Sequence, residues 1–308
     1  MRKNRSLLLC GVLCLSVAGA FAQDDLMDML DSSQPKTRED VTATFKTTRV
    51  LSGQSVETVR KGGLDFRVTH RFGNMGGASG GGVHTLYGFD QASNIRLSLE
   101  YGLTDHLMAG FGRSKMNEHL DFFVKWRFLR QTTDNAVPVS MVWYSNMAIN
   151  PSGDPQGLWT KWVHRLSYTH QAILARKFSP SFSAQLMPTL VHRNFVLADA
   201  HPVDGSQDMN NLFSLGGAFR LKFTKRAAIV VEYFQTFSAY RHSNTADPYY
   251  APLAIGLEIE TGGHIFHVNL SNTAGIIEND FIPTSPDSWG KGGMKLGFTI
   301  SRVFQLKQ

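Results

Sequence analysis

The sequence predicts an all-β fold: an up-and-down antiparallel transmembrane β-barrel of about twelve strands. Three observations carry this. Segment after segment alternates apolar and polar side chains, the period of a strand with one apolar and one polar face. The connections alternate as well, mostly short after even-numbered segments and longer after odd ones, which places short turns at one end of a barrel and surface loops at the other. A secretory leader precedes all of them.

The leader is MRKNRSLLLCGVLCLSVAGAFA. Arg2, Lys3 and Arg5 form a basic start, Leu7 to Val17 an apolar stretch, and Ala20-Phe21-Ala22 a small-x-small cleavage signal. The apolar stretch is shorter than the roughly 20 residues a spanning helix needs, which argues against an N-terminal anchor. We therefore expect a signal peptide over 1–22. Cys10 and Cys14, the only cysteines, both lie in it, so the exported chain is expected to carry no disulfide and no Cys-ligated metal. Removing its three bases lowers the formal charge from +6 to +3. A near-neutral exported chain without a basic run gives no case for nucleic acid as a partner.

Residues 23–60 read as an acidic N-terminal segment. Within it, Asp24 to Leu30 has a short helical period ended by Pro35: an acidic tail, or a docking peptide for a periplasmic partner. VTATFKTTRV (41–50) is rich in β-branched residues and reads as a candidate extra strand without a placed partner. The barrel is expected over 61–308, with strands near 64–72, 94–101, 106–113, 119–128, 138–147, 161–172, 181–192, 211–222, 227–235, 252–260, 264–271 and 293–304. In LDFFVKWRF, for instance, Leu120, Phe122, Val124, Trp126 and Phe128 alternate with Asp121, Lys125 and Arg127. The short links are GLTD, LRQTTDNAV, ARKFSP, FTKR and TGG. The long ones are 73–93, 148–160, 193–210, 236–251 and 272–292, and the link between strands three and four is the shortest of that set. An even strand number puts both barrel ends on the periplasmic side.

A soluble β-sandwich alternates too, but its turns are of similar length at both ends. Here the polar face carries many opposite charges, as a wet barrel interior would. Phe72, Tyr101, Trp126, Trp143, Trp162 and Tyr233 stand towards strand ends like aromatic girdles. Without an apolar helix, only a closed barrel satisfies every backbone group in a bilayer. The last strand, KLGFTISRVF, ends in an aromatic residue, Phe304, as an outer-membrane assembly signal does, although Arg302 stands where an apolar residue is usual.

VTATFKTTRVLSGQSVE, LDFRVTHRFG, LSYTHQ, LMPTLVHRN, TGGHIFHVNLSNTAGIIE and WGKGGMKLGFTISRVF together resemble a bacterial outer-membrane β-barrel family, domain of unknown function 5777. The resemblance runs from about residue 24 to the C-terminus. It implies a barrel in the outer membrane of a diderm bacterium, in contact with outer-membrane lipid and inserted by the barrel-assembly machinery. It supplies no activity, ligand or catalytic residue.

The pair His-Arg occurs in VTHRFG, WVHRLS and LVHRNF. Neighbouring strand residues point to opposite faces, so His70, His164 and His192 are expected at the outer interface and Arg71, Arg165 and Arg193 inside. A register centred near Lys177 and Phe178 would set His164 opposite His192, but two histidines without a third ligand make a weak metal site. No metal or cofactor is expected. The expected interior bases are Arg67, Arg71, Arg96, Lys125, Arg127, Arg165, Arg193 and Arg220, with Lys222 and Lys295. The acids are Asp65, Glu100, Asp121, Glu232, Glu258 and Glu260. Two readings follow: a plugged lumen braced by ion pairs, or a narrow pore with a weak preference for small anionic solutes.

An enzyme is not expected. No serine shares the height and face of His192, near Asn211, and no nucleophile-elbow motif is present. GGASGGG (76–82) and GKGG (290–293) lack the context of a phosphate loop. A lipid-acting enzyme at the rim, and a binding protein using loops 73–93 and 272–292, remain the alternatives. Pro188 predicts a bulge at Met187-Pro188.

Overall fold

The computed structural model describes residues 38–77 and 80–306, with one compact unit beginning at Asp40. The expected leader and the acidic stretch 24–35 lie outside the described residues. Among the described residues no helix is long and apolar enough to cross a membrane.

Twelve strands close into one antiparallel up-and-down barrel. They are β1 (Gly63–Asn74), β2 (Ala92–Gly102), β3 (Leu107–Ser114), β4 (Leu120–Leu129), β5 (Ser140–Ile149), β6 (Leu166–Lys177), β7 (Phe182–Arg193), β8 (Asn211–Lys222), β9 (Ala227–Phe237), β10 (Leu253–Thr261), β11 (His264–Ser271) and β12 (Lys295–Gln305). β1 closes on β12, with Gly63 opposite Gln305 and Arg71 opposite Gly297. Both ends of the barrel strand sequence therefore sit beside the short turns.

Alternation is visible in burial. In β4, Leu120, Phe122, Val124, Trp126 and Phe128 are exposed, while Asp121, Phe123, Lys125 and Arg127 are buried. Such a barrel buries its charges and exposes its aromatics, the inverse of a water-soluble protein and the pattern that a lipid surround requires.

Three expectations about β6 and β7 are corrected. β6 runs five residues further on than expected, over Leu166–Lys177, because Trp162–Arg165 forms a 3-10 turn and the strand continues through Gln171-Ala172-Ile173-Leu174-Ala175. His164 therefore lies off the strand. The β6–β7 register pairs His192 with Tyr168, not with His164, so the two histidines do not share a cross-strand position. Pro188 produces no bulge. Pairing lapses opposite Ala172 and Ile173 and resumes in the same register at Leu174–Leu186, while Pro188 stays paired with Leu215 of β8. Proline has no N–H to donate, so one rung is lost without a shift.

Residues 41–50 are not a strand. They form bends, with isolated bridges at Asp40–Thr132 and Arg49–Gln54, and every residue from Thr47 to Val56 is buried. The segment enters at the short-turn end, where Arg130 holds Asp40 at 2.6 Å, turns back at Leu51-Ser52-Gly53, and leaves at Gly63 into β1. It is a U-shaped plug. The loop after β11 also departs from expectation: residues 275–283 are all buried, around the short helix α1 (Glu278–Phe281). This insert descends from the long-loop end to meet the plug, rather than lying on the surface.

Candidate functional site in the barrel interior

The interior has two unlike walls. Strands β1, β2 and β4 present Asp65, Arg67, Arg71, Arg96, Glu100, Asp121, Lys125 and Arg127, all buried. Strands β5 to β10 present a mixed wall with fewer charges, where polar residues such as Asn146, Gln171, Gln185 and Thr189 are also buried: its apolar members Val142, Ile173, Ala175, Met187, Val191, Leu212, Ala218, Val230, Phe234 and Ala254 cluster with Phe45, Val50, Leu51 and Val56 of the plug and with Phe281 and Ile282 of the insert. Phe234 meets Phe281 edge-on, with centroids 5.0 Å apart. Plug and insert thus share one dry contact at mid-barrel.

On the charged wall the bases hold protein groups. Lys125 Nζ donates to the carbonyls of Thr48 at 2.6 Å, Ser55 at 3.1 Å and Glu57 at 3.3 Å. An ammonium has three donors, and here all three serve plug carbonyls, of which that of Thr48 also accepts the Ser55 N–H at 2.9 Å. Arg67 bonds Asp65 and Thr48, each at 2.8 Å, and Thr48 donates to Glu100. Arg96 grips Asp121 with two nitrogens at 3.1 and 2.7 Å. Arg71 bonds Asn269 and Ser52.

Glu232 does the complementary task from β9. Its carboxylate accepts the successive N–H groups of Leu51 (3.1 Å), Ser52 (2.7 Å) and Gly53 (3.1 Å). Three consecutive amides converging on one anion form a nest, and this fixes the tip of the plug. Glu258 joins Arg220 at 2.7 Å and His267 at 3.3 Å. Glu260, at the short-turn rim, pairs with Lys46 at 2.9 Å.

The remaining arginines stand at the long-loop end. Arg165 donates to the carbonyls of Asn150 and Ser152 and lies over the Trp159 ring at 4.4 Å. Arg193 shares Asp208 with Arg241, at 2.8 and 2.6 Å. Burial alone would push the Asp208 carboxyl up, but the two guanidinium groups bring it below the ordinary carboxylate range.

Insert and plug meet electrostatically as well. Arg49 of the plug lies 3.8 Å from Glu278 of the insert and 3.9 Å from Glu100. Neither carboxylate oxygen of Glu278 has a hydrogen-bond partner. Burial raises its carboxyl above the ordinary range, against the pull of Arg49. The next residue, Asn279, is better held, accepting from Thr169 and donating to Ser167, both at 3.0 Å. These contacts had no counterpart in the sequence reading. Their one sequence signal is the apolar content of AGIIENDFI, unusual for a surface loop.

Two vestibules flank the filled zone. The one at the short-turn end, about 440 Å³, is lined by Glu57, Arg60, Asp105, His106, Arg127 and Arg130 among others. The one at the long-loop end, about 410 Å³, includes Asn117, His119, Trp159, His164, Arg165, Arg193, Phe195 and Asp280.

The histidines stand apart. His70 stacks on Phe298 of β12 at 5.3 Å, His164 stacks on Phe195, and His192 bonds Asn211 at 2.7 Å. A Ser–His contact that sequence reasoning missed does occur on the outer face: Ser145 and His170, cross-strand partners, lie 3.0 Å apart, and Trp143 donates to Ser145. Both residues are near the middle of their strands. The pair thus stands away from both rims of the barrel.

The chain is similar to several solved barrels. To the NanC porin it is 10% identical, covering 80% of this chain and 100% of that one, with a TM-score of 0.47. To the KdgM porin it is 9% identical, covering 80% and 99%, with a TM-score of 0.43. To an outer membrane channel from Pseudomonas putida F1 it is 12% identical, covering 81% and 98%, with a TM-score of 0.47. Likenesses of this degree carry no functional argument. No curated protein sequence matches the chain. Residues 45–304, from inside the plug to the end of the last strand, match the family model described as a membrane bound beta barrel domain, DUF5777, and the chain belongs to that family.

Proposed function

We propose that the protein is an outer-membrane barrel kept closed by its own chain, a porin-like frame without a through-going aqueous path in its resting state. The observation that carries this is the mid-barrel contact, where Phe45, Val50, Leu51 and Val56 of the plug pack with Phe281 and Ile282 of the insert. The interior charges support it. Charged rings select ions only when they face water, and Lys125, Arg67, Arg96 and Glu232 are committed to carbonyls, carboxylates and amides of the same chain. Their role is to brace the plug. The catalytic reading is the weaker one, since His192 has no serine beside it and Ser145–His170 stands away from both rims of the barrel.

Planar-bilayer recording of refolded protein tests this. A folded barrel, shown by heat-modifiable gel mobility, is expected to give no stepwise current. Regular conductance steps in the unmodified protein would overturn the closed reading.

A further inference from the structure

We infer that the outer wall of β11 and β12, at the short-turn end, is a binding site for the headgroup phosphate of an anionic phospholipid in the leaflet on that side. Arg302 stands in the last strand where an apolar residue is usual. Ser301 before it faces inward, where its hydroxyl donates to Asp65 at 2.9 Å. Arg302 therefore faces outward, and it is exposed. Its pairing places it near the rim. It lies opposite His264, the first residue of β11 after the Gly262-Gly263 turn, and opposite Phe66 of β1. An outward charge is costly at the bilayer midplane but tolerated at the height of the headgroups.

The guanidinium is held without being neutralised. Its Cζ lies 4.9 Å from the centroid of the Phe304 ring, and Nη1 donates to His264 Nε2 at 3.4 Å. The outward positions of β1, β10, β11 and β12 hold no acid. A guanidinium fixed through its face and one nitrogen keeps Nε and Nη2 as a fork for two oxygens of one phosphate. Away from the rim, the next outward rung is apolar: Ile300 lies between Phe266 of β11 and Val68 of β1. An acyl chain leaving a headgroup at Arg302 would run along these side chains. A free phosphate gains nothing from such a row. A zwitterionic headgroup brings an ammonium, and no outward acid is there to receive it. A pinned cation beside an apolar row without an acid thus favours a lipid of net negative charge. The site lies on the outer wall, so it stands whether or not the lumen is closed.

Native mass spectrometry of the refolded protein tests this, with equimolar dimyristoyl phosphatidylglycerol and dimyristoyl phosphatidylethanolamine as probes. Phosphatidylglycerol should be retained about fivefold better, the typical effect of one basic residue at an anionic lipid surface. Glycerol 3-phosphate at the same concentration should not displace it. Arg302→Gln should abolish the preference. Arg113→Gln, at the long-loop rim and already paired with Glu118, should leave it unchanged. Heat-modifiable gel mobility establishes that each variant folds. Should Arg302→Gln fail to fold, His264→Ala carries the test, because it frees the guanidinium and should lower the preference. Equal retention of the two lipids, displacement by glycerol 3-phosphate, equal losses in the two arginine variants, or an undiminished preference in a folded variant at Arg302 or His264 would overturn the inference.

Discussion

Replacing Glu232 by Gln should release the tip of the plug while leaving the barrel standing. The carboxylate accepts Leu51 and Gly53 on one oxygen and Ser52 on the other. Gln keeps the shape but has one acceptor oxygen. If that oxygen faces Leu51 and Gly53, the amide nitrogen opposes the Ser52 N–H, donor against donor. One charge-assisted bond of about 1.5–3 kcal/mol is lost, and a buried donor is stranded at a further cost of about 1–3 kcal/mol. A loss of about 3–5 kcal/mol multiplies local opening by about 10²- to 5 × 10³-fold. Amide hydrogen exchange reads this directly, because opening of a local unit is seen peptide by peptide. Peptides spanning 48–56 should exchange faster by that factor, and peptides from β8 to β10 should not change. Less than about a fivefold change in the plug would refute the nest as its anchor. Equal acceleration in the strands would show that Glu232 stabilises the whole barrel instead.

Three further outcomes follow from named contacts. A Cβ on Gly216 would lie 2.5 Å from the Phe234 ring, whereas one on Gly217, facing outward, meets nothing; Gly216→Ala should cost about 1–3 kcal/mol by overpacking and lower the midpoint of the heat-modified gel transition, with Gly217→Ala unchanged. Glu278 titrates above the ordinary carboxylate range because of its burial, so its proton binds more tightly in the folded protein. Its contribution therefore becomes less favourable as pH rises from the ordinary carboxylate value through the raised one, and the stability gap between Glu278→Gln and wild type in urea should widen over that window in favour of the variant. A gap independent of pH would show the carboxyl to be unshifted. Ser145→Ala should leave phospholipid turnover by refolded protein at the wild-type level, and a clear fall would restore the catalytic reading.

The barrel is legible because the outward face of the strands stays predominantly apolar, whatever lies inside. What lay inside was less legible, for a physical reason that particular residues expose. β6 lies five residues beyond its expected bounds because Ile173 and Ala175 are apolar on the inward face as well, so QAILARK loses its alternation and reads as a turn approach. Those residues belong to the wall that meets the plug. The plug itself has no period to detect. Part of its polar backbone is satisfied by side chains far away in sequence, Glu232 being 180 residues from Ser52, and a local pattern cannot report such a partner. The inner face nevertheless recorded the plug indirectly. On β1, β2 and β4 the buried inward positions include eight charged residues, and Lys125 of β4 reaches plug carbonyls; on β5 to β10 charges are fewer, and apolar residues stand among uncharged polar ones where the side chains of the plug and the insert arrive. Inward residues such as Val142 and Ala148, which stand on β5 among Ser140, Tyr144 and Asn146, have no reason to be apolar in a water-filled pore. A one-sided loss of inward polarity across consecutive strands is therefore a sequence sign that something dry fills the barrel against that wall. Here Phe45 and Val50, from the candidate strand 41–50, together with Leu51 and Val56 beyond it, are the plug's apolar side chains in contact with this wall.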